Sequence, residues 1–347
     1  MKKLLAILMT TAMVLTLASC GGNSKPAASS AASGGPATDP IKVKIAHTGT
    51  ETCLSHQAIQ VIADYMERES DGAFKVEIYA NGQLGDDATL VTSAQAGDIQ
   101  MSFTNTGNLI SFVPELGVYA TPFIFDSNET AYKVLDGEFG RNILDMMEGK
   151  TGLTGLGYLE SVAFRELSAN REIHTPDDLK GLKIRVMTNN IHIAIWETLG
   201  AQPTPITFSE LYTALQQGTV DAQENPVELF ITSRFNEVQD HLILTNHVFT
   251  TGMFFANSDW FNSLTPELQQ ICRDATNAGV EFQRKAASEQ WDSWMETLEQ
   301  EGVSVIELTP DELAQWQEKV APVYDMIAKE AGAEVVADLQ AAVASAK

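Results

Sequence analysis

Cysteine and positive charge are both scarce in this chain, which has 3 cysteines and 22 lysines plus arginines against 46 acids in 347 residues. A net charge of −24 excludes nucleic acid and anionic bilayer surfaces as electrostatic targets, because a strongly negative protein repels both. The first nineteen residues carry only Lys2 and Lys3 as charged groups, so without them the net charge deepens to −26 (−24 minus 2). There is no C-x-x-C pair, and His47, His56, His174, His192, His241 and His247 show no ligand-like spacing, so no metal site is expected. G-x-S-x-G, H-E-x-x-H and the phosphate-cradling G-x-x-x-x-G-K-[ST] are missing too. "GLTGLGY" (152–158) has three glycines but leads into an apolar strand rather than a helix, so it is no nucleotide cradle. No cofactor is called for, and no catalytic constellation emerges.

What is present is a hydrophobic content of 44%, enough for a packed core in roughly two domains of ~150 residues. Lys2 and Lys3 precede the apolar run "LLAILMTTAMVLTLAS", which reads as a secretory signal over 1–19. "LASC" follows the pattern of a bacterial lipobox, making Cys20 the acylated first residue of the mature chain. Stable anchoring implies at least two acyl chains, since one holds only marginally. Residues 20–39 are rich in Gly, Ser, Ala and Pro and read as a flexible linker. Cys53 and Cys272 are far apart in sequence, and both a disulfide and two buried free thiols are open to them.

From Ile41 onward strand and helix patterns alternate. "IKVKIAH" and "FKVEIYA" have the period of two expected of strands, and Ser55 is placed to cap a helix running to about Glu69. A helix over about Asp87–Ala96 and a third strand in "IQMSFT" complete a βαβαβ start, which argues for an α/β domain. "FVPELGVYATPFIFD" reads as an irregular packed loop. Thr175, Thr265 and Thr309 each precede a proline and acids, the signature of helix starts. Helices are expected from Asn190 to Leu199 and from Ser209 to Gly218, with glycine stops. One long helix over 266–301, weakened only at Gly279, is long enough to span both domains. The acid pairs Asp86/Asp87 and Asp177/Asp178 fall at helix starts, where capping explains them.

Arginine placement stands apart, because the chain has only eight. Arg165 in "YLESVAFREL" and Arg185 in "LKIRVM" lie 20 residues apart, each at or near the end of an apolar strand pattern. Ligands of open α/β sheets bind beyond the carboxyl ends of strands. There a guanidinium grips a carboxylate through two parallel hydrogen bonds. Each arginine alone is equally explained by a structural ion pair; two together point to an anionic ligand.

Residues 179–229, including "LGAQPTPITFSELYTALQQGTVDAQENP", resemble the signature region of the DctP family, the solute-binding proteins of tripartite ATP-independent periplasmic (TRAP) transporters. "NGQLGDD", "VPELGVYATPFIF", "DGEFG" and "NSDWFNSL" extend the resemblance from Ile41 to the C-terminus. It implies a non-enzymatic, two-lobed, periplasmic-binding-protein-like α/β fold of type II, with discontinuous lobes joined by a hinge and a long helix. The lobes are expected at 41–162 with 251–290, and at 163–250 with 291–347. The resemblance places the carboxylate-pairing arginine at Arg185, a second at Arg165, an orienting amide at Asn225 and an aromatic wall at Phe208. Asn105 and Asn108 stand where sialate-binding members carry a glutamate and an arginine, which argues against sialate. Uncharged Asn105, Asn108, Thr48 and Thr188, together with Glu51 and His47, suit hydroxyls, so a sugar acid such as a uronate or aldonate is favoured over a C4-dicarboxylate. The implied protein is an extracytoplasmic, lipid-anchored monomer that delivers its ligand to small and large membrane permease subunits. An ABC-type binding protein or sensor, and a lipid-anchored enzyme on acidic sugars, are the competing classes.

Overall fold

Alternation dictates the first strand: in β1 (Ile41–Ala46), Val43 and Ile45 are fully buried while Lys42 and Lys44 face solvent. A computed structural model of the chain describes residues 39–159 and 164–347. The signal peptide, Cys20, the linker up to residue 38 and the expected lobe boundary at 162/163 lie outside the described residues.

β2 (Phe74–Tyr79) and β3 (Met101–Asn105) flank β1 in parallel, connected through α1 (Leu54–Glu69) and α2 (Asp87–Ala96). The cap of α1 differs from expectation: Cys53, not Ser55, is the N-cap, its Sγ accepting the His56 amide at 3.4 Å. After α3 (Thr106–Leu109), the stretch expected to be irregular contains a 3-10 helix, Pro114–Ala120, which buries Leu116, Val118 and Tyr119. Next come α4 (Asn128–Asp136), α5 (Glu138–Thr151) and β4 (Leu153–Tyr158). β10 (Gly252–Asn257) inserts antiparallel between β3 and β4, giving the order β2-β1-β3-β10-β4.

The second sheet is built from β5 (Phe164–Ala169), β6 (Lys183–Val186), β7 (Gln202–Pro205), β8 (Ala222–Asn225), β9 (His241–Phe249) and β11 (Ser304–Glu307), in the order β11-β9-β5-β8-β6-β7. α6 (Asn190–Leu199) ends at Gly200 with φ 108°, as the glycine stop requires. α7 (Phe208–Gln216) and α8 (Val227–Thr232) follow β7 and β8. The three Thr-Pro starts all hold, although Pro176–Leu179 is a 3-10 turn while Thr265 and Thr309 start α-helices.

After α9 (Ser258–Ser263), the long helix α10 (Pro266–Gln300) serves both sheets. Its Cys272 and Ala275 pack with Ile59 and Ile62 in the first core, and Ala286, Trp294 and Leu298 with Leu211 and Phe230 in the second. Gly279 does not break it: a Cβ there would stand 2.6 Å from Ile62 Cγ1 and 3.0 Å from the Ala58 carbonyl oxygen, so glycine allows α1 to press close. Cys53 and Cys272 are free buried thiols, which answers the pairing question.

α11 (Pro310–Val320), α12 (Val323–Ala331) and α13 (Ala333–Ala346) end the chain. The expected division gave 291–347 wholly to the second lobe, and the C-terminus departs from it. α13 lies on α4 and α5 and α12 on Pro114–Ala120 and α6, because Leu339 and Val343 find apolar cover beside Ala131, Val134 and Ile143. Among the described residues no helix is long and apolar enough to cross a membrane.

Candidate functional site

Strand ends and helix starts of both sheets converge on one cleft enclosing about 570 Å³ of non-atom space, open solvent included. The first sheet's side contributes Thr48, Gly49, Cys53 and Ser55 around the start of α1, Asp87 from α2, and Phe103, Asn105 and Asn108. The second contributes Arg165, Arg185, Met187, Phe208, Asn225 and Leu229.

Arg165 lines the cleft, but its place in its strand differs from expectation. It is the second residue of β5, near the start rather than the end. β5 runs antiparallel to β8, with Glu166 opposite Asn225, and β8 is parallel to β6. The beginning of β5 therefore lies beside the carboxyl ends of its neighbours.

The two guanidinium groups differ in what they have left to offer. Arg165, 2% exposed, donates from Nε to Glu224 Oε2 and from Nη2 to Glu224 Oε1 at 2.9 Å. Nη2 also reaches Asn225 Oδ1 at 3.1 Å, and Nη1 the Thr250 hydroxyl at 3.4 Å. Glu224 is completely buried, with His247 Nε2 at 3.1 Å and His192 Nδ1 at 3.6 Å. With His247 Nε2–H donating to the carboxylate, its Nδ1 accepts from the Thr245 hydroxyl at 2.7 Å. Burial alone would raise the Glu224 carboxyl, but Arg165 and the two imidazoles outweigh it and hold the carboxyl well below its usual range. Arg165 is thus committed through Nε and Nη2 to an internal ion pair, with Nη1 held only by the long Thr250 contact.

Arg185 is equally buried at 2%. Its Nε donates to the Ile206 carbonyl at 2.8 Å, while its Nη1 has no protein acceptor. Burial pulls its pKa down to about 10, against the pull of Glu224 and Asp87, so it remains a cation at neutral pH. A buried, charged, unmatched donor on a cleft wall calls for an anionic acceptor.

Asn225 Nδ2 donates to Gln223 Oε1 at 2.6 Å while its Oδ1 accepts from Arg165, so within the protein the amide orients that arginine. Phe208, at the start of α7, meets Phe235 edge-on at 6.0 Å and forms wall. Asn105 caps α3 through the Gly107 amide at 2.9 Å. Asn108 Nδ2 donates to Asp87 Oδ2 at 2.8 Å, and Thr48 Oγ1 to Asp87 Oδ1 at 3.2 Å.

Three anticipated residues are not in the wall. His47 is buried behind Gly49 and bonded to His56 at 3.0 Å; burial and His56 lower its pKa to about 3, leaving it neutral. Glu51 and Thr188 are exposed and line no part of the cleft. Conversely, Asp87 lines the cleft, although it is expected only to cap a helix. Asp86 performs that task alone, accepting the Thr89 amide at 2.9 Å, and burial pushes the half-buried Asp87 carboxyl up to about 6. The redundancy of two acids at one cap was the available signal. Among the described residues no group of three or more His, Cys, Asp or Glu is arranged to hold a metal.

The family model for bacterial extracellular solute-binding proteins, family 7 (DctP), matches residues 45–331. The sugar acid binding protein DctPAm of Advenella mimigardefordensis, solved with galactonate, is 35% identical with a TM-score of 0.86, over 89% of this chain and 99% of that one. A TRAP periplasmic solute-binding protein of Polaromonas sp. JS666, bound to D-erythronate, is 34% identical with a TM-score of 0.82, over 86% and 98%. The C4-dicarboxylate-binding periplasmic protein DctP of Rhodobacter capsulatus is 32% identical over 88% of this chain and 92% of its own.

Proposed function

Because the chain belongs to the DctP family, the extracytoplasmic, non-catalytic proteins that bind small organic acids and serve TRAP permease subunits, we propose that its ligand is a sugar acid held by Arg185. The observation that carries this is the orphaned Nη1 of Arg185 in the cleft wall. A ligand carboxylate supplies the missing acceptor, and the planar fork gives it a fixed bearing. Arg165 lines the same cleft with its charge met by Glu224, so it contributes a rigid floor.

The other end of the ligand meets Asp87, Asn108, Thr48 and Asn105. An ionised Asp87, oriented by Thr48 and Asn108, accepts a hydrogen bond from a hydroxyl but repels a second carboxylate. This favours an aldonate or uronate over a C4-dicarboxylate. The two relatives solved with galactonate and D-erythronate support the same choice.

Calorimetric titration with galactonate, D-erythronate and succinate between pH 5 and 7.5 tests it. Tighter binding of the hydroxy acids is expected. A hydroxyl donating to Asp87 stabilises its ionised form, so affinity is complete above about pH 6 and falls as pH drops through it. A dicarboxylate gives the opposite slope, since its second charge favours the protonated form. Burial pushes Glu228 and Glu166 up to about 7 and about 8, so Asp87→Asn is the control that assigns the component. Succinate binding more tightly, and more so at neutral pH, would reject the sugar acid.

The lipobox at Leu17–Cys20 supports a second element of the reading: a mature chain tethered by acylated Cys20, its stalk leaving the cleft free to reach the permease. An intact-mass measurement finding an unacylated mature N-terminus would remove the tether.

A further inference from the structure

The cleft wall at residues 48–55 follows the first sheet in sequence but is fastened to the second. α1 has no acidic residue in its own first turn, where the positive end of the helix favours one. Glu228 of α8 supplies it: Oε1 accepts the Leu54 amide at 2.8 Å across 174 residues of sequence. Glu228 is wholly buried, its Oε2 has no protein partner, and its remaining contact is the Thr232 hydroxyl at 3.4 Å on its own helix. Leu54 packs with Leu211, Val227 and Phe230 in the second core, whereas Ala58, Ile59 and Ile62, one to two turns on, pack in the first. Its neighbour Ser55 lines the cleft and accepts from Gln283 of α10 at 3.1 Å. Elsewhere along the cleft a second bond joins the two sides, Asn189 Nδ2 to the Gly107 carbonyl at 3.1 Å.

We propose that Glu228 is a latch between the lobes: its carboxylate holds the Leu54 amide, and with it the 48–55 wall, against the second lobe when the cleft is closed, and releases them when the lobes part. The proposal rests on the cleft being the ligand site, but Glu228 itself touches no ligand. In the closed form both groups are shielded from water and depend on each other. When the lobes part, water takes over both, so the bond weights the balance towards closure without locking it. The attachment lies at the junction of α1, α8 and α10, where a small displacement moves the Ser55 wall of the cleft.

Glu228→Ala and Glu228→Gln in the full chain test the latch, by galactonate calorimetry and by hydrogen exchange with and without galactonate, at a pH above the value of about 7 to which burial pushes Glu228. The alanine variant is expected to bind galactonate about tenfold more weakly, the scale of one lost charge-assisted hydrogen bond. It should also exchange faster over residues 104–110, at the separate Asn189–Gly107 crossing. Glutamine, whose amide oxygen still accepts the Leu54 N–H, should give a smaller change in the same direction. A lowered melting temperature with unchanged affinity and unchanged exchange over 104–110 makes Glu228 a static helix cap and overturns the proposal. Failure of the wild-type chain to bind galactonate counts against the sugar acid reading. In that case exchange over 104–110 in the ligand-free chain decides the latch alone, and no acceleration in the alanine variant sinks it.

Discussion

Arg185→Ala is expected to weaken sugar acid binding by about 30- to 5,000-fold, the equivalent of the roughly 2–5 kcal/mol lost when one partner of a buried, hydrogen-bonded charge pair is truncated. The expectation follows from how little of Arg185 the protein itself uses. Only its Nε bond to the Ile206 carbonyl is internal, and Nη1 is buried without a protein acceptor. For the same reason the ligand-free variant should melt close to the wild-type temperature, because the desolvation of a buried cation offsets what its one internal bond and the pull of Glu224 and Asp87 contribute. Arg185→Lys should bind nearly as poorly, since a point ammonium cannot reproduce the two-pronged geometry. Calorimetry together with a melting curve separates the outcomes. Near-wild-type affinity in Arg185→Ala would remove Arg185 as the anchor, and a large drop in melting temperature would make it a structural residue.

Much of the fold is legible in local sequence because local physics sets it. Alternation at Val43 and Ile45, the Thr-Pro starts at Thr265 and Thr309, and the glycine stop at Gly200 each depend on neighbours within a few residues. Arg185 was legible for a related reason: it lies one residue from the end of a parallel strand, where α/β sheets bind ligands. Non-local pairing hid the rest. The position of Arg165 depends on β5 running antiparallel to β8, which no property of "AFREL" encodes. His47 and Glu51 flank Thr48 and Gly49 of the wall, but backbone direction in that turn points one into the core and the other to solvent. Asp87 escaped because its local environment is that of a helix cap, and only packing brings Asn108 and Thr48 to it. The lodging of Leu54 in the second core is likewise invisible in a helix whose own apolar stripe belongs to the first.

Glu224→Ala is expected to cost about 3–5 kcal/mol of stability, the usual penalty for stranding one member of a buried ion pair. The melting temperature should then fall by something on the order of 10 °C. Arg165 would keep only Asn225 and Thr250 as side-chain acceptors for a fully buried cation, and His247 would lose the acceptor that fixes its tautomer. Replacing both partners, as in Glu224→Leu with Arg165→Met, should recover much of the loss, because an apolar pair of similar volume has no charge to strand. The pH dependence provides an independent check on sign. The Glu224 carboxyl is held well below its usual range, so its contribution is complete above the unfolded pKa of roughly 4.3 and is lost as pH falls through the lower folded value. The gap between wild type and Glu224→Ala should therefore be widest at neutral pH and narrow on acidification; a gap independent of pH would mean that lost packing, not charge, accounts for the cost. This also separates the two arginines by function. The Arg165–Glu224 pair spends its charge on the fold and holds the floor of the cleft in place, which leaves Arg185 as the cation free to meet a ligand.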